Sequence, residues 1–166
     1  MTIGDTAIDQ QIGAIEADVR RLVDLEAIYR LRLTYYDHLN ENRFAQLPEL
    51  FTVDAWIDFG NQLGRHEGRD ALTSALAGLD SDLFVKVLAH GHVADISGES
   101  ASGHLFIEGR LIVNGESFIT MGKVSDRYTR EDGRWLIAQS VTHYYFATPL
   151  HVGWADEGAL QPFVSP

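Results

Sequence analysis

Two rhythms of apolar residues divide this chain, one helical and one extended, and the change comes near residue 53. Ile8, Ile12, Ile15, Val19 and Leu22 recur at steps of three and four, which places them on one stripe of an amphipathic helix. Leu25, Ile28, Leu31, Tyr35 and Leu39 continue the pattern beyond a bend expected near Asp24. A second short helix fits Ala45 to Phe51, with Pro48 in its first turn. From Val53 the period shortens, because Ala55, Ile57 and Phe59 alternate with Trp56 and Asp58 as in a strand. Gly60 and Gly64 mark a loop, and Arg69 to Ala77 predicts a helix closed by Gly78.

Four long strands follow: Leu83 to Ser97, Ser102 to Asn114, Ser117 to Arg130, and Arg134 to Phe146. Gly98-Glu99-Ser100, Asn114-Gly115 and Glu131-Asp132-Gly133 are short turn-forming connections, so antiparallel hairpins in sequence order are expected. Helices followed by a meander make an α+β pattern, with a helical layer folded over a curved sheet to enclose one apolar pocket. No repeat or linker divides residues 1–166, and one domain is expected. Its parts are N-terminal helices about 7–51, a strand and short helix about 53–78, a meander about 83–146, and an irregular tail 147–166, where Trp154 and Phe163 suggest packing on a surface or partner.

Composition narrows the function. An apolar share of 45% suits a buried core, and no apolar run reaches the roughly 18 residues that a membrane span needs. Thirteen Lys and Arg against 24 Asp and Glu give a net charge of -11, which disfavours nucleic acid. Arg20 with Arg21 and Arg30 with Arg32 are the dense basic spots, read as a solvated helix face. The chain has no cysteine, which removes thiolate catalysis and thiolate metal sites. Met1 to Gln11 lacks the basic and apolar regions of a signal peptide, so a cytoplasmic location is expected.

His90 and His92, two apart on a strand, are expected to share a sheet face, with Gly91 permitting close approach or a bulge. Three roles are open to them. They are hydrogen-bonded structural histidines, two ligands of a metal lacking its remaining partners, or a general base that imidazole supplies near neutrality. Tyr35, on the buried helix stripe, is either a core aromatic or a phenol that binds a substrate oxygen. Asp58 faces the pocket or its rim, and His104, Glu108, Arg110 and His143 are further polar strand positions. Tyr144, Tyr145 and Phe146 line the pocket mouth or an edge.

Several strings resemble the SnoaL-like branch of the nuclear-transport-factor-2-like superfamily: "LEAIYRLRLTYYDHLNENRFAQLPELF", "DAWIDFG", "HEGRDAL", "HGHVADI", "SGHLFIEGRL" and "DRYTREDGRWLIAQS". In the same order and with matching gaps they cover about Asp24 to Tyr144. The resemblance implies a cone-shaped barrel of curved, mostly antiparallel mixed sheet wrapped around N-terminal helices. Within the superfamily the chain is most similar to the cofactor-free lyases that include scytalone dehydratase, hexachlorocyclohexane dehydrochlorinase and bile-acid 7α-dehydratase.

That group implies a histidine base, with tyrosine and aspartate assisting in an apolar pocket. The matching positions are Tyr35 and His90, with His92 one step along the same string. Two family aspartates are replaced, by Asn40 at the end of the long helix and by Gly109 in "IEGRL", which leaves Asp37 or Asp58 as substitute acids. The implied function is a cofactor-independent lyase or isomerase on a hydrophobic, oxygenated, cyclic molecule. His90, His92, Tyr35 and Asp58 would be catalytic; Asn40, Trp56, Tyr36, Phe106, His143 and Tyr145 would bind substrate. A non-catalytic binding domain is the alternative. No metal or cofactor, no nucleic acid and no membrane partner is expected, and the resemblance implies a homodimer or higher homo-oligomer.

Overall fold

The computed structural model describes residues 3–60, 64–77 and 84–155, with side chains from residue 8 onward. Helix α1 (Ile3–Asn40) is one α-helix of 38 residues and runs through Asp24 without a break. Asp24 acts instead as a tether, accepting hydrogen bonds from Trp135 Nε1 (2.9 Å) and Arg130 Nη1 (2.8 Å). The helix ends where Asn42 enters the left-handed region at φ 54°, which asparagine tolerates. Phe44–Leu50 is a 3-10 helix rather than an α-helix, with Pro48 in its interior rather than in its first turn.

The sheet comprises β1 (Phe51–Asp58), β2 (Arg65–Glu67), β3 (Val85–Ser97), β4 (Ser100–Val113), β5 (Glu116–Glu131) and β6 (Arg134–Pro149), with α2 (Arg69–Ala77) between β2 and β3. Its order is β2-β1-β6-β5-β4-β3, curved and unclosed, with β1 parallel to β6 and the other pairs antiparallel. The expected α+β fold with a mixed sheet is thus the observed one. The meander is joined by Asn114-Gly115 and Asp132-Gly133, whose positive φ values match the twist of the flanking strands. Strand β2, not anticipated from sequence, is a short partner to β1. The expected cap at Gly78, the start of the first long strand at Leu83, and Phe163 lie outside the described residues.

Ile28, Leu47, Phe51, Leu105, Val124, Tyr128 and Ile137 are the most completely buried apolar side chains, between α1, the 3-10 helix and the inner sheet face. The first half of the helical stripe does not join them. Ile8, Ile12, Ile15, Val19 and Leu22 are 49–63% exposed, so the helical layer covers the sheet only with its second half.

Asn40 anchors that second half. Its Oδ1 accepts from Val87 N (2.6 Å), its Nδ2 donates to Val87 O (2.8 Å), and its own carbonyl accepts from Lys86 Nζ. The amide has both the donor and the acceptor that this clamp needs, whereas a carboxylate has only acceptors. Asn40→Asp is therefore expected to lower stability by about 1–3 kcal/mol, as expected for Asn40→Ala, measured by urea unfolding. Wild-type stability in Asn40→Asp would show that the clamp is dispensable.

Candidate functional site

The site begins with the backbone of β3. His90 pairs with Phe106 but Val93 pairs with His104, so one extra residue is inserted between them, and Gly91 takes φ 60° there. A bulge of this kind reverses the alternation of side chains. His90 shares the outer face with exposed Phe106 and lies 4.0 Å from Glu108. His92 turns inward, where its Nε2 lies 3.1 Å from the hydroxyl of buried Tyr128. The expectation that both rings share one face is thus corrected by the bulge, which also prevents them from chelating one ion.

Behind Tyr128 stands a buried network. Tyr128 donates to Asp126 Oδ2 at 2.8 Å. Arg32 donates to the same carboxylate through Nε (2.9 Å, to Oδ2) and Nη2 (3.1 Å, to Oδ1), and Nη2 also reaches Ser140 Oγ at 2.9 Å. The guanidinium lies 4.6 Å from the centre of the Tyr35 ring and 5.3 Å from that of Tyr36. Its side chain is only 3% exposed and that of Asp126 is 0%. The reading of Arg32 as part of a solvated face is corrected: it lies on the buried flank of α1, four residues after Ile28 and three before Tyr35.

The titrations follow from burial. Burial disfavours the Arg32 cation, but Asp126, joined by smaller contributions from Tyr36, Tyr128 and Tyr35, holds the guanidinium pKa above its usual value. Burial, and then the Asp126 charge, pushes the Tyr128 phenol well up, so it stays protonated. Burial lowers the His92 pKa; Asp126 partly opposes this and Arg32 adds to it. These states fix a tautomer. Tyr128 has one proton and gives it to Asp126, so its oxygen accepts from His92 Nε2–H, which leaves the imidazole lone pair on Nδ1.

A cavity of about 50 Å³ opens beside this network, lined by Tyr29, Arg32, Leu33, Ala89, His90, Gly91, His92 and Leu105. It is far smaller than the enclosed apolar chamber expected from sequence, because Tyr35, Tyr36, Phe51 and Leu105 fill the inner face. The ring of Tyr29 lies 6.0 Å from that of His92 at the partly exposed rim.

Of the residues named from sequence, His90 and His92 reach this cavity, and Tyr35 and Tyr36 pack behind it against Arg32. The others lie elsewhere. Asn40 clamps Val87, and Asp58 accepts from Gly60 N (2.7 Å) in the turn after β1. Asp37 pairs with Arg43. Trp56, under the Arg65 guanidinium at 3.9 Å, borders a groove shared with Asp54, Ser102 and Arg127. Phe106, His143 and Tyr145 are exposed, with Phe106 beside His104 and His143 beside Tyr145. Arg32, Asp126, Tyr128, Ser140 and Tyr29 were missed; the available signals were an arginine on an apolar helix stripe and the Asp-x-Tyr spacing that puts Asp126 and Tyr128 on one strand face.

Removing one member of the buried ion pair strands the other. Asp126→Ala is expected to cost about 3–5 kcal/mol in denaturant unfolding. Arg32→Met with Asp126→Leu is expected to recover most of that loss; a double variant no more stable than Asp126→Ala would refute the pairing as its cause.

Comparison with known proteins places this geometry among related folds. A sequence model of the SnoaL-like domain matches residues 20–141. A proposed scytalone dehydratase from Novosphingobium aromaticivorans superposes with a TM-score of 0.71 at 24% identity, covering 82% of this chain and 93% of that one. LinA superposes with a TM-score of 0.71 at 21% identity over 90% and 99% of the two chains. A type 2 hexachlorocyclohexane dehydrochlorinase (LinA) gives 0.70 at 18% identity over 85% and 99%.

Proposed function

Because the chain belongs to the SnoaL-like domain family, we propose that it is a cofactor-independent lyase or isomerase that removes a proton from a hydrophobic, oxygenated, cyclic molecule. The observation that carries this reading is the His92–Tyr128–Asp126–Arg32 chain beside the cavity. His92 is the base, through Nδ1. Tyr128 and Asp126 hold the ring and its tautomer, and Tyr35 supports Arg32 from behind. His90, on the other sheet face, shapes the cavity mouth. The cavity receives the reacting end of the substrate, and the remainder lies over Tyr29 and Leu33 at the rim.

His92→Gln is expected to lower kcat/KM by at least about 100-fold with folding intact, and His90→Gln by less than about tenfold. Equal losses, or none, would remove His92 from the role. The pH profile gives an independent check. The folded pKa of His92 lies below its ordinary 6.5, so the ring is an unprotonated base at neutral pH and the acid limb of kcat/KM falls below pH 6.5. The unfolded chain binds this proton first as pH drops, so His92 also withdraws stability on acidification from about 6.5 downward, and not above it.

A non-catalytic binding domain is the second reading, favoured by the absence of an acid at Asn40 and Gly109. It predicts saturable binding of a cyclic ketone or alcohol without conversion. A homo-oligomer belongs to either reading, since the Ile8–Leu22 stripe is an exposed apolar face of the kind that partners cover. Light scattering is expected to give a multiple of 18.5 kDa, and a single-chain mass would count against it.

A further inference from the structure

The exposed apolar stripe of α1 does not stop where the helix meets the sheet. Its steps of four and three run from Ile8 to Leu22 and continue through Glu26 to Tyr29 and Leu33, a mean of about 3.5 residues, which is the spacing of a coiled-coil seam. Every side chain from residue 8 to residue 23 is exposed, and Tyr29 and Leu33 are still 43% and 41% exposed. A helical segment that buries so little against its own domain has little tertiary packing to hold it. The far end of the seam is also a wall of the cavity, since Tyr29 and Leu33 line it beside His92. That cavity, of about 50 Å³, lies far below the roughly 300 Å³ at which small-molecule pockets begin, so the site lacks a wall.

Resting on the reading of this cavity as the functional site, we infer that a second copy of the chain supplies the missing wall: the two α1 helices pair antiparallel along the seam, and the first turns of each cover the cavity of the other. Charge selects this arrangement. In a parallel pair Glu26 would face Glu26 inside the seam. An antiparallel pair overlapping only from Ile8 to Glu26 would set Glu16 beside Glu16 and Asp18 beside Asp18, and one overlapping from Ile8 to Val19 would set Asp9 beside Glu16. The pair that overlaps from Ile8 to Leu33 has none of these contacts. It layers Val19 on Leu22, Ile12 on Tyr29 and Ile8 on Leu33, and it brings Asp9 beside the partner's Arg30. Glu26, opposite the partner's Ile15, carries its own counter-charge, because Arg30 Nε donates to it at 2.6 Å. This register covers the stripe from end to end, and its two-fold symmetry closes the assembly at two chains. The partner's Ile8 and Ile12 then lie over Leu33 and Tyr29, so an apolar ligand that enters beside His92 is gripped between two chains and shielded from water.

The chain has no cysteine, so introduced thiols report the register directly. Ile12→Cys and Tyr29→Cys proteins, mixed and oxidised, are expected to give a disulfide-linked species of twice 18.5 kDa that contains one of each. Ile12→Cys mixed with Leu22→Cys is expected to give none, and so is Ile12→Cys by itself. Val19→Asp, which lies outside the cavity, is expected to lower the mass in light scattering to a single chain while circular dichroism shows the sheet intact. The same variant is expected to speed the modification of His92 by diethyl pyrocarbonate, read by mass spectrometry, because the lid is gone. A bond from position 12 to position 22 rather than 29 overturns the inference. A wild-type chain that scatters as a monomer also overturns it and leaves the stripe to another protein. A 12-to-29 bond with His92 no better protected than in Val19→Asp overturns the lid. Loss of turnover in His92→Gln without the 12-to-29 bond defeats this inference alone. The bond together with unchanged turnover in His92→Gln defeats the base assignment alone.

Discussion

The ion pair between Arg32 and Asp126 is the constraint from which the site follows. Two charges taken out of water are held together by hydrogen bonds that repay their desolvation, and here Asp126 accepts three while Ser140 accepts one from Arg32. The pair ties the middle of α1 to β5 and β6, and so decides which turn of a long helix lies against the sheet. It also dictates the state of everything nearer the cavity. With Asp126 held as the partner of a cation, Tyr128 must donate to it, and the phenol oxygen is then free only to accept. The nitrogen of His92 that carries the proton is thus set by Asp126, one hydrogen bond further on through Tyr128.

The bulge at Gly91 is the second element, and it acts through geometry rather than charge. Without an inserted residue His90 and His92 would face the same side, and neither could reach Tyr128 while the other stayed in solvent. One residue at φ 60° separates them, sending one ring to a half-buried site beside a phenol and the other to the surface beside Glu108. The cost is a strand that deviates from regular pairing, which glycine lowers because it has no Cβ. Gly91 thus takes a left-handed conformation at little cost beside a histidine whose pKa burial lowers.

Much of the fold was legible because it rests on local chemistry. Asn114-Gly115 and Asp132-Gly133 announce their hairpins, and alternation along β4 and β5 marks the inner face. The helical stripe was legible as a stripe but not as a surface with a cover: periodicity treats Ile12 and Ile28 alike, while only Ile28 meets the sheet. Arg32 was misread for the same reason. Its partners lie 94 and 108 positions away in sequence, and nothing near it distinguishes a buried arginine from a solvated one. The sense of the bulge was equally hidden, since Gly91 permits an insertion without requiring it.

The loss of the family acids at Asn40 and Gly109 is answered by rewiring rather than by substitution. Asp37 and Asp58, the acids nearest in sequence, are committed to Arg43 and to Gly60, so neither stands in. Asp126 instead reaches the imidazole through Tyr128. A phenol in the middle transmits orientation well and charge poorly; burial is the largest effect on His92, and with Arg32 and His104 opposing Asp126 its pKa falls. In the proposed role, such a base is available at neutral pH but gains little help in carrying the proton it takes. Arg32, whose Nη1 is buried without a partner among the described residues, is also the cation that opposes the pull of Asp126 on the imidazole.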